Sequence, residues 1–327
     1  MSVLSRVARI VRTYTVGRLG GTPSTAAFWY NAAPPRVVDA ASLATYRTNA
    51  DPYPLYLFDH RGKLTYPSVD ADGIAVLNYD PPIGPQLNPE AAFQYLLGMA
   101  DAVRTTRPEL KDTFLRGANR LRDLQTPEGD WPYSFDWFES KAPWFSALAQ
   151  SRGVSVMLRA GRLSGDPRFF ESAHLAVSRF EVPLAEGGYL HTFESTGIPY
   201  FEEYPLSPSA VMNGFLATVF GLWELTELTG DADARRKLNL ALTSLEQMLP
   251  AYDCGWWTLY DRRGYPEHPN VQSVFYHRMV VDYMRVLVTL DDRPVFREIL
   301  TRWESYNTRS ARLRATLAKL KFKVTHR

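Results

Sequence analysis

Three short clusters carry side chains able to move protons and hold an anion. "YFEEYPLSPSAVMNGF" offers Glu203 and Tyr204, with Asn213 nine residues beyond the tyrosine. "WWTLYDRRGY" offers Tyr260, Asp261, Arg262 and Arg263, and "VFYHRM" offers Tyr276 and His277 at what reads as the start of a helix. A carboxylate is a ready base at neutral pH. A tyrosine is a good donor and a poor base, since forming the phenolate from a pKa near 10 costs about 4 kcal/mol at pH 7. A guanidinium at close range lowers that pKa by roughly 1–3 units. The set therefore suits general acid–base chemistry on an anionic ligand. Glu203 with Asp261 could in principle supply the two carboxylates of a glycoside hydrolase, about 5–10 Å apart, but the excess of tyrosine argues against it. Singly each cluster is weak, because a buried tyrosine most often only satisfies its own hydroxyl.

Other chemistries leave no trace. The six histidines (His60, His174, His191, His268, His277 and His326) form no HExxH, Cys/His or EF-hand spacing, so no metal is expected. There is no GxGxxG or Walker sequence, so no cofactor is expected, and no GxSxG elbow. Cys254 is the only cysteine and cannot pair within the chain.

The clusters gain weight from the elements that must position them. Four segments read as two helices joined by a tight turn, and their turns at Pro108, Pro167, Ala232 and Pro294 lie 59, 65 and 62 residues apart. Asp as N-cap and Pro in the first turn are good helix starters there. Repeated antiparallel hairpins stack into a solenoid or close into an (α/α) toroid; a chain this short, with long aromatic loops, favours closure. A plain bundle is the alternative. Three loops, 125–144, 182–208 and 251–270, must then emerge together at the end opposite the hairpin turns. Loops of about 20 residues inside a compact domain are usually functional. Each leads into a helix N-terminus whose free N–H groups favour an anion. The domain reading is a basic N-terminal helix and extended segment (1–43), a small β appendage with hairpin signals at "HRGK" and "DADG" (44–87), the toroid (88–308) and a basic amphipathic tail (309–327). His60 and Arg61 are expected on a solvated turn of the appendage.

The 327 residues fit one large domain, or one large and one small, with 45% apolar and 22% charged residues. The net charge of +2 is unevenly laid out. Residues 1–38 hold five arginines and no acid, and residues 305–327 hold seven basic residues and no acid, so the body is acidic. A basic face for nucleic acid is not expected. No apolar stretch reaches the roughly 18 residues of a membrane span. The first residues lack the apolar core of a secretory signal because arginine recurs every third position. The expected location is the cytoplasm, with basic ends able to touch an anionic membrane or a polyanionic substrate.

"PWFSALAQSRGVSVMLRA", "YFEEYPLSPSAVMNGFL", "LPAYDCGWWTLYDRRG" and "YHRMVVDYMRVLVTLDDRPVFREILTRWESY" resemble the C-terminal domain of the D-glucuronyl C5-epimerase family, in order and over about 128–306. That family inverts glucuronate to iduronate within heparosan and heparan sulfate. The resemblance implies an (α/α) toroid, no cofactor, and an anionic uronic-acid polysaccharide as partner. It makes Tyr204, Tyr260, Tyr276 and Glu203 the catalytic set. Arg263, Asn213, His277 and Gln150 become binding residues, and Trp144 and Trp131 either sugar platforms or core. A homodimer and a peripheral membrane contact are further partner options. The family's large N-terminal β domains are reduced here to at most the appendage. Rival readings are a uronate lyase or glycoside hydrolase on the same toroid, or a non-catalytic uronan-binding protein.

Overall fold

A computed structural model describes residues 24–48, 53–265 and 268–326. The basic helix expected in the first residues lies outside that range. The described chain opens with two short helices, α1 (Thr25–Trp29) and α2 (Ala40–Thr48). Four hairpins follow: α3 (Pro89–Thr105) with α4 (Lys111–Asp123), α5 (Ala147–Ser164) with α6 (Pro167–Leu175), α7 (Met212–Thr229) with α8 (Ala232–Met248), and α9 (Val274–Leu290) with α10 (Pro294–Ser305). A last helix, α11, spans Arg309–His326. The turn signals act as expected: Asp166 and Asp231 cap α6 and α8 through Arg168 N and Ala234 N, and Pro167 and Pro294 occupy first turns.

The first helix of each hairpin packs on the next, α3 to α5 to α7 to α9, and the second lies outside its own partner. Composition explains the two layers. Three of the inner helices, α3, α5 and α7, are buried nearly all round, α7 without a break from Met212 to Thr226, while α9 buries one broad face from His277 to Leu287. The outer helices bury one stripe, as α4 does with Phe114, Gly117, Ala118 and Leu121. This is an (α/α) toroid.

The sides are completed by a segment that the sequence suggested was peripheral. Residues 53–66 are part of the core. Tyr56, Leu57 and Phe58 are fully buried, and Phe58 packs on Tyr283 of α9 and Phe220 of α7. Tyr53 donates to Ala100 O (3.0 Å), and Asp101 of α3 accepts from Tyr56 N (3.0 Å) and Arg36 (2.6 Å). "HRGK" forms a 3-10 helix over His60–Thr65, capped by Asp59, instead of a hairpin. It lies so close to α3 that a Cβ on Gly98 would overlap the carbonyl of His60. His60 is thus buried, not solvated. "DADG" does turn, with Val69 bridging Ala75, and β1 (Leu77–Asn78) pairs antiparallel with β2 (Pro85–Gln86). The 182–208 loop holds a second hairpin, β3 (Leu190–Phe193) with β4 (Ile198–Phe201), Leu190 opposite Phe201.

What draws the segment inward is charge at the centre of the ring. Arg159 of α5 makes a two-pronged ion pair with Glu224 of α7 (2.7 and 3.0 Å), both side chains without solvent exposure. Removing one partner strands the other as a buried charge. Arg159→Met should therefore cost about 3–5 kcal/mol in urea unfolding, and adding Glu224→Leu should recover most of it. A single substitution no worse than the double would show that the pair does not hold the ring.

Candidate active site

A cavity of about 470 Å³ opens at the end of the ring where the inner helices begin. All three long loops reach it: Tyr133 and Trp144 from the first, Glu203 and Tyr204 from the second, Tyr260 from the third. The first turns of α3, α7 and α9 add Glu90, Asn213 and Tyr276. The caps place these helix starts locally, with Asn88 accepting from Ala91 N and Ser273 from Tyr276 N. Six of the ten residues singled out in the sequence thus share one cavity: Glu203, Tyr204, Tyr260, Tyr276, Asn213 and Trp144.

The two adjacent glutamates divide the work. Glu202 is fully buried and braces its own loop. Its carboxylate accepts from Tyr200 Oη (2.6 Å), Tyr204 N (3.0 Å), Ser209 N (2.9 Å) and Ala210 N (3.0 Å). That brace turns Glu203 and Tyr204 toward the cavity. The Glu203 carboxylate lies against the first turn of α7, in space that exists because residue 214 is glycine: a Cβ there would overlap Oε2. Burial, chiefly, pushes the Glu203 carboxyl up to about 8; the neighbouring Glu202 and Glu90 add to this and the Tyr204 hydroxyl opposes it. Burial and that same carboxylate hold the Tyr204 hydroxyl well above its ordinary value. Tyr204 is a proton donor here, and Glu203 is poised to ionise just above neutrality.

Beside this pair, the rings of Tyr260 and Tyr276 meet edge to face at 5.4 Å. Lys319 of α11 stands over the Tyr260 ring (5.0 Å) and donates to Asn270 (2.5 Å). Trp144 stacks on Tyr133 at 3.7 Å and approaches the Tyr204 ring at 6.0 Å. These flat faces beside the acid–base groups suit a sugar ring.

The floor comes from residues that motif reading passed over. Glu90 accepts from Gln94 (2.7 Å) and from Arg152 (3.3 Å), its second oxygen is buried without a partner, and burial raises it to about 7. Lys63 is 3% exposed, donates to Phe28 O (2.6 Å) and is brought down to about 7 by burial, with Glu90 acting against that. Neither lies in a recognisable motif. The one available signal was "HRGK" placing a lysine three residues after a histidine.

Four expected residues lie elsewhere. Arg263 binds Ser207 (2.6 Å to Oγ, 3.1 Å to O) and Glu139 (3.3 Å), behind the second loop. His277 is fully buried, hydrogen-bonded to Thr258 (2.9 Å) and stacked on Trp257 (3.8 Å). Burial takes it down to about 4. Gln150 ties loops together, accepting from Trp131 N and donating to Gly129 O and Ala176 O. Trp131 is core, its Nε1 given to Leu121 O. Asp261 is likewise engaged with Asn270 (2.7 Å), away from the cavity, so the Glu203/Asp261 pair of a hydrolase is not assembled. Among the described residues, no three His, Cys, Asp or Glu side chains come together as a metal would need.

The family described as D-glucuronyl C5-epimerase C-terminus matches residues 125–305. A D-glucuronyl C5-epimerase of Caenorhabditis elegans is 30% identical over 235 residues, 65% of this chain and 38% of that protein. An uncharacterized protein of Methanocaldococcus jannaschii is 29% identical over 177 residues, 53% of either chain. The chain therefore spans from about a third to half of the length of these relatives. Among solved structures, an unsaturated glucuronyl hydrolase from Bacillus sp. GL1 aligns with a TM-score of 0.44 at 14% identity, over 67% of this chain and 60% of that one. A family 76 glycoside hydrolase (mannosidase) from Bacteroides thetaiotaomicron aligns with a TM-score of 0.42 at 12% identity, over 76% and 75%.

The raised Glu203 carboxyl has a measurable consequence for stability. Between its ordinary 4.5 and about 8, the folded chain keeps a proton that the unfolded chain has released, so this group lowers stability as pH rises through that window. Glu203→Gln lacks the effect. Its melting temperature minus that of the wild type should grow from pH 4.5 to pH 8 and then level off. A difference independent of pH would mean that the carboxyl is not raised.

Proposed function

Because the chain belongs to the family of D-glucuronyl C5-epimerase C-terminal domains, we propose that it inverts C5 of D-glucuronate to L-iduronate within a uronic-acid polymer of heparosan type. The observation that carries this reading is the gathering of Glu203, Tyr204, Tyr260 and Tyr276 on one cavity. Epimerisation next to a carboxylate requires a group to take the C5 proton and a group on the other face to return one. It also requires a cation where negative charge gathers.

The Glu203–Tyr204 pair is one acid–base unit and Tyr276 the other, with Tyr260 orienting the sugar. In the forward step ionised Glu203 accepts the C5 proton, the bond's electrons pass into the carboxylate as an enediolate, and a tyrosine hydroxyl delivers a proton to the opposite face of C5. No electrons leave the substrate. The enzyme resets when its tyrosine regains a proton and Glu203 gives one up to solvent. A base titrating near 8 is well matched to this work near neutral pH.

Arg263 is turned away; of the cations that line the cavity, Lys63, Lys319, Lys323 and Arg278, the one assigned to the substrate carboxylate is Lys63, on the floor with Glu90. An ammonium has three donors and Phe28 O takes one of them. The uronate's negative charge would restore Lys63 to its charged form. Asn213, Tyr133 and Trp144 are assigned to the sugar.

Four outcomes test the proposal. Incubation with unsulfated heparosan in D2O should place deuterium at C5 and yield iduronate without new chain ends, read by proton NMR. Unsaturated uronate absorbance would instead mean a lyase, rising reducing ends a hydrolase, and no change a binding protein. Tyr204→Phe and Tyr276→Phe should each lose about 10²–10⁴-fold in turnover while keeping the fold. Turnover should rise with pH through about 8 in the wild type, and this limb should vanish in Glu203→Gln. Lys63→Met should lose about 10²–10³-fold, with partial recovery in Lys63→Arg. Wild-type inversion in all of these variants would remove the site.

A further inference from the structure

The last helix has two faces of different character. One docks on the body: Ala315 and Phe322 are buried, the Phe322 ring packs on Tyr265 at 4.7 Å, and Lys319 reaches Asn270. At about 100° per residue the opposite face is Leu313, Leu317 and Leu320, spaced four and three apart. All three are exposed, at 63%, 59% and 40%. Arg309 and Arg312 flank this stripe on one side, and Lys321 and Arg314, whose guanidinium lies over the Trp256 ring at 3.8 Å, on the other. From residue 305 to the end the chain has no acid.

We propose that α11 is a docking surface for anionic membrane. The helix would lie in the headgroup plane with the three leucines inserted and the basic flanks on lipid phosphates. Single exposed leucines need no explanation, but a leucine stripe bordered on both sides by cations does. Charge decides among the candidate occupants. Residues 1–23 carry four arginines and no acid, so packing them on α11 would set like charges together. A second copy of the chain would do the same, basic flank against basic flank. An acidic polysaccharide would satisfy the cations but has no apolar phase for the leucines. An anionic lipid surface satisfies both. Among the described residues no helix is long and apolar enough to cross a membrane, so the contact is a surface one. Because Lys319 and Lys323 line the cavity from the same helix, docking would fix the cavity mouth relative to the membrane.

The test uses the full chain and sedimentation with vesicles of phosphatidylcholine, with and without phosphatidylglycerol. The wild type should sediment with phosphatidylglycerol vesicles and much less with neutral ones, and high salt should weaken the binding. The L313S/L317S/L320S triple variant should lose at least about tenfold of the bound fraction while keeping the wild-type melting temperature. R309E/K321E should lose the preference for anionic vesicles without touching the leucines or the Arg314–Trp256 contact that helps seat the helix. The proposal is overturned if the wild type stays in solution with anionic vesicles. It is also overturned if both variants bind as the wild type does, which would assign binding to the basic N-terminal segment. Light scattering that shows a dimer dissociated by the triple variant, with no vesicle binding, would make the stripe a self-interface.

Discussion

Two arginines on one inner helix hold this molecule together. Arg152 and Arg159 lie two turns apart on the same face of α5, fully buried, and the Tyr56 ring lies against both guanidinium groups at 5.5 and 5.0 Å. Taking two guanidinium groups out of water is costly unless each is paired and hydrogen-bonded. Arg159 is answered by Glu224. Arg152 is answered by Glu90, by the hydroxyl of Tyr283 (2.6 Å) and by that of Tyr56. These partners come from α3, α7, α9 and the N-terminal segment. One helix's charges thereby recruit every other side of the ring, and the segment at 53–66 enters the core because the arginines need its tyrosine.

The same network sets the chemistry above it. Glu90 is shared: one oxygen answers Arg152 in the core, the other is buried without a partner, and the residue lines the cavity. The ring is thus continuous, through a single carboxylate, with the floor of the site. Burial then acts in opposite directions on opposite charges, raising Glu90 and Glu203 while lowering Lys63, so three groups titrate near neutral pH within one cavity. None of these shifts needs a special device. They follow from placing ionisable groups at the inner-helix ends of a ring whose centre is already charged.

The hairpin repeat was legible because Asp and Pro at the turns and apolar spacing along the helices are local signals, and the convergence of the three loops followed from geometry alone. Tyr204, Tyr260 and Glu203 stood out as candidates because they sit on those loops, and Tyr276 because it opens the helix that follows the third. The misassignments share one physical cause. Arg263, His277 and Gln150 stand beside the right residues in sequence, but a loop residue's direction depends on contacts made far away in the chain. Trp257 shows this: it is fully buried, takes the face of His277 and gives its Nε1 to Gln272 O. Lys63 and Glu90 were missed for the converse reason. They belong to a short 3-10 turn and a helix start with no motif, and only the tertiary path of residues 53–66 brings them together.

That path changes what the N-terminal part of the chain is for. The family match begins at residue 125, yet Glu90 and Lys63 of the cavity floor lie before it. On the function proposed above, the matched region would supply the proton-transfer groups, and the preceding residues the charge that a uronate must meet. The two parts are coupled through protonation. A uronate entering the cavity would bring a negative charge to Lys63 and Glu90 together, favouring a charged lysine and a neutral carboxyl, so binding would draw protons from solvent into the floor. The same charge opposes ionisation of Glu203, the group that must be ionised to act as base. A cation at Lys63 relieves that conflict by compensating the substrate's charge locally. The ring's central arginines are too deeply engaged with their own partners to do so, and Lys319 and Lys323 stand at the cavity from α11, so on the floor beside Glu90 the compensation falls to a lysine whose charge burial opposes.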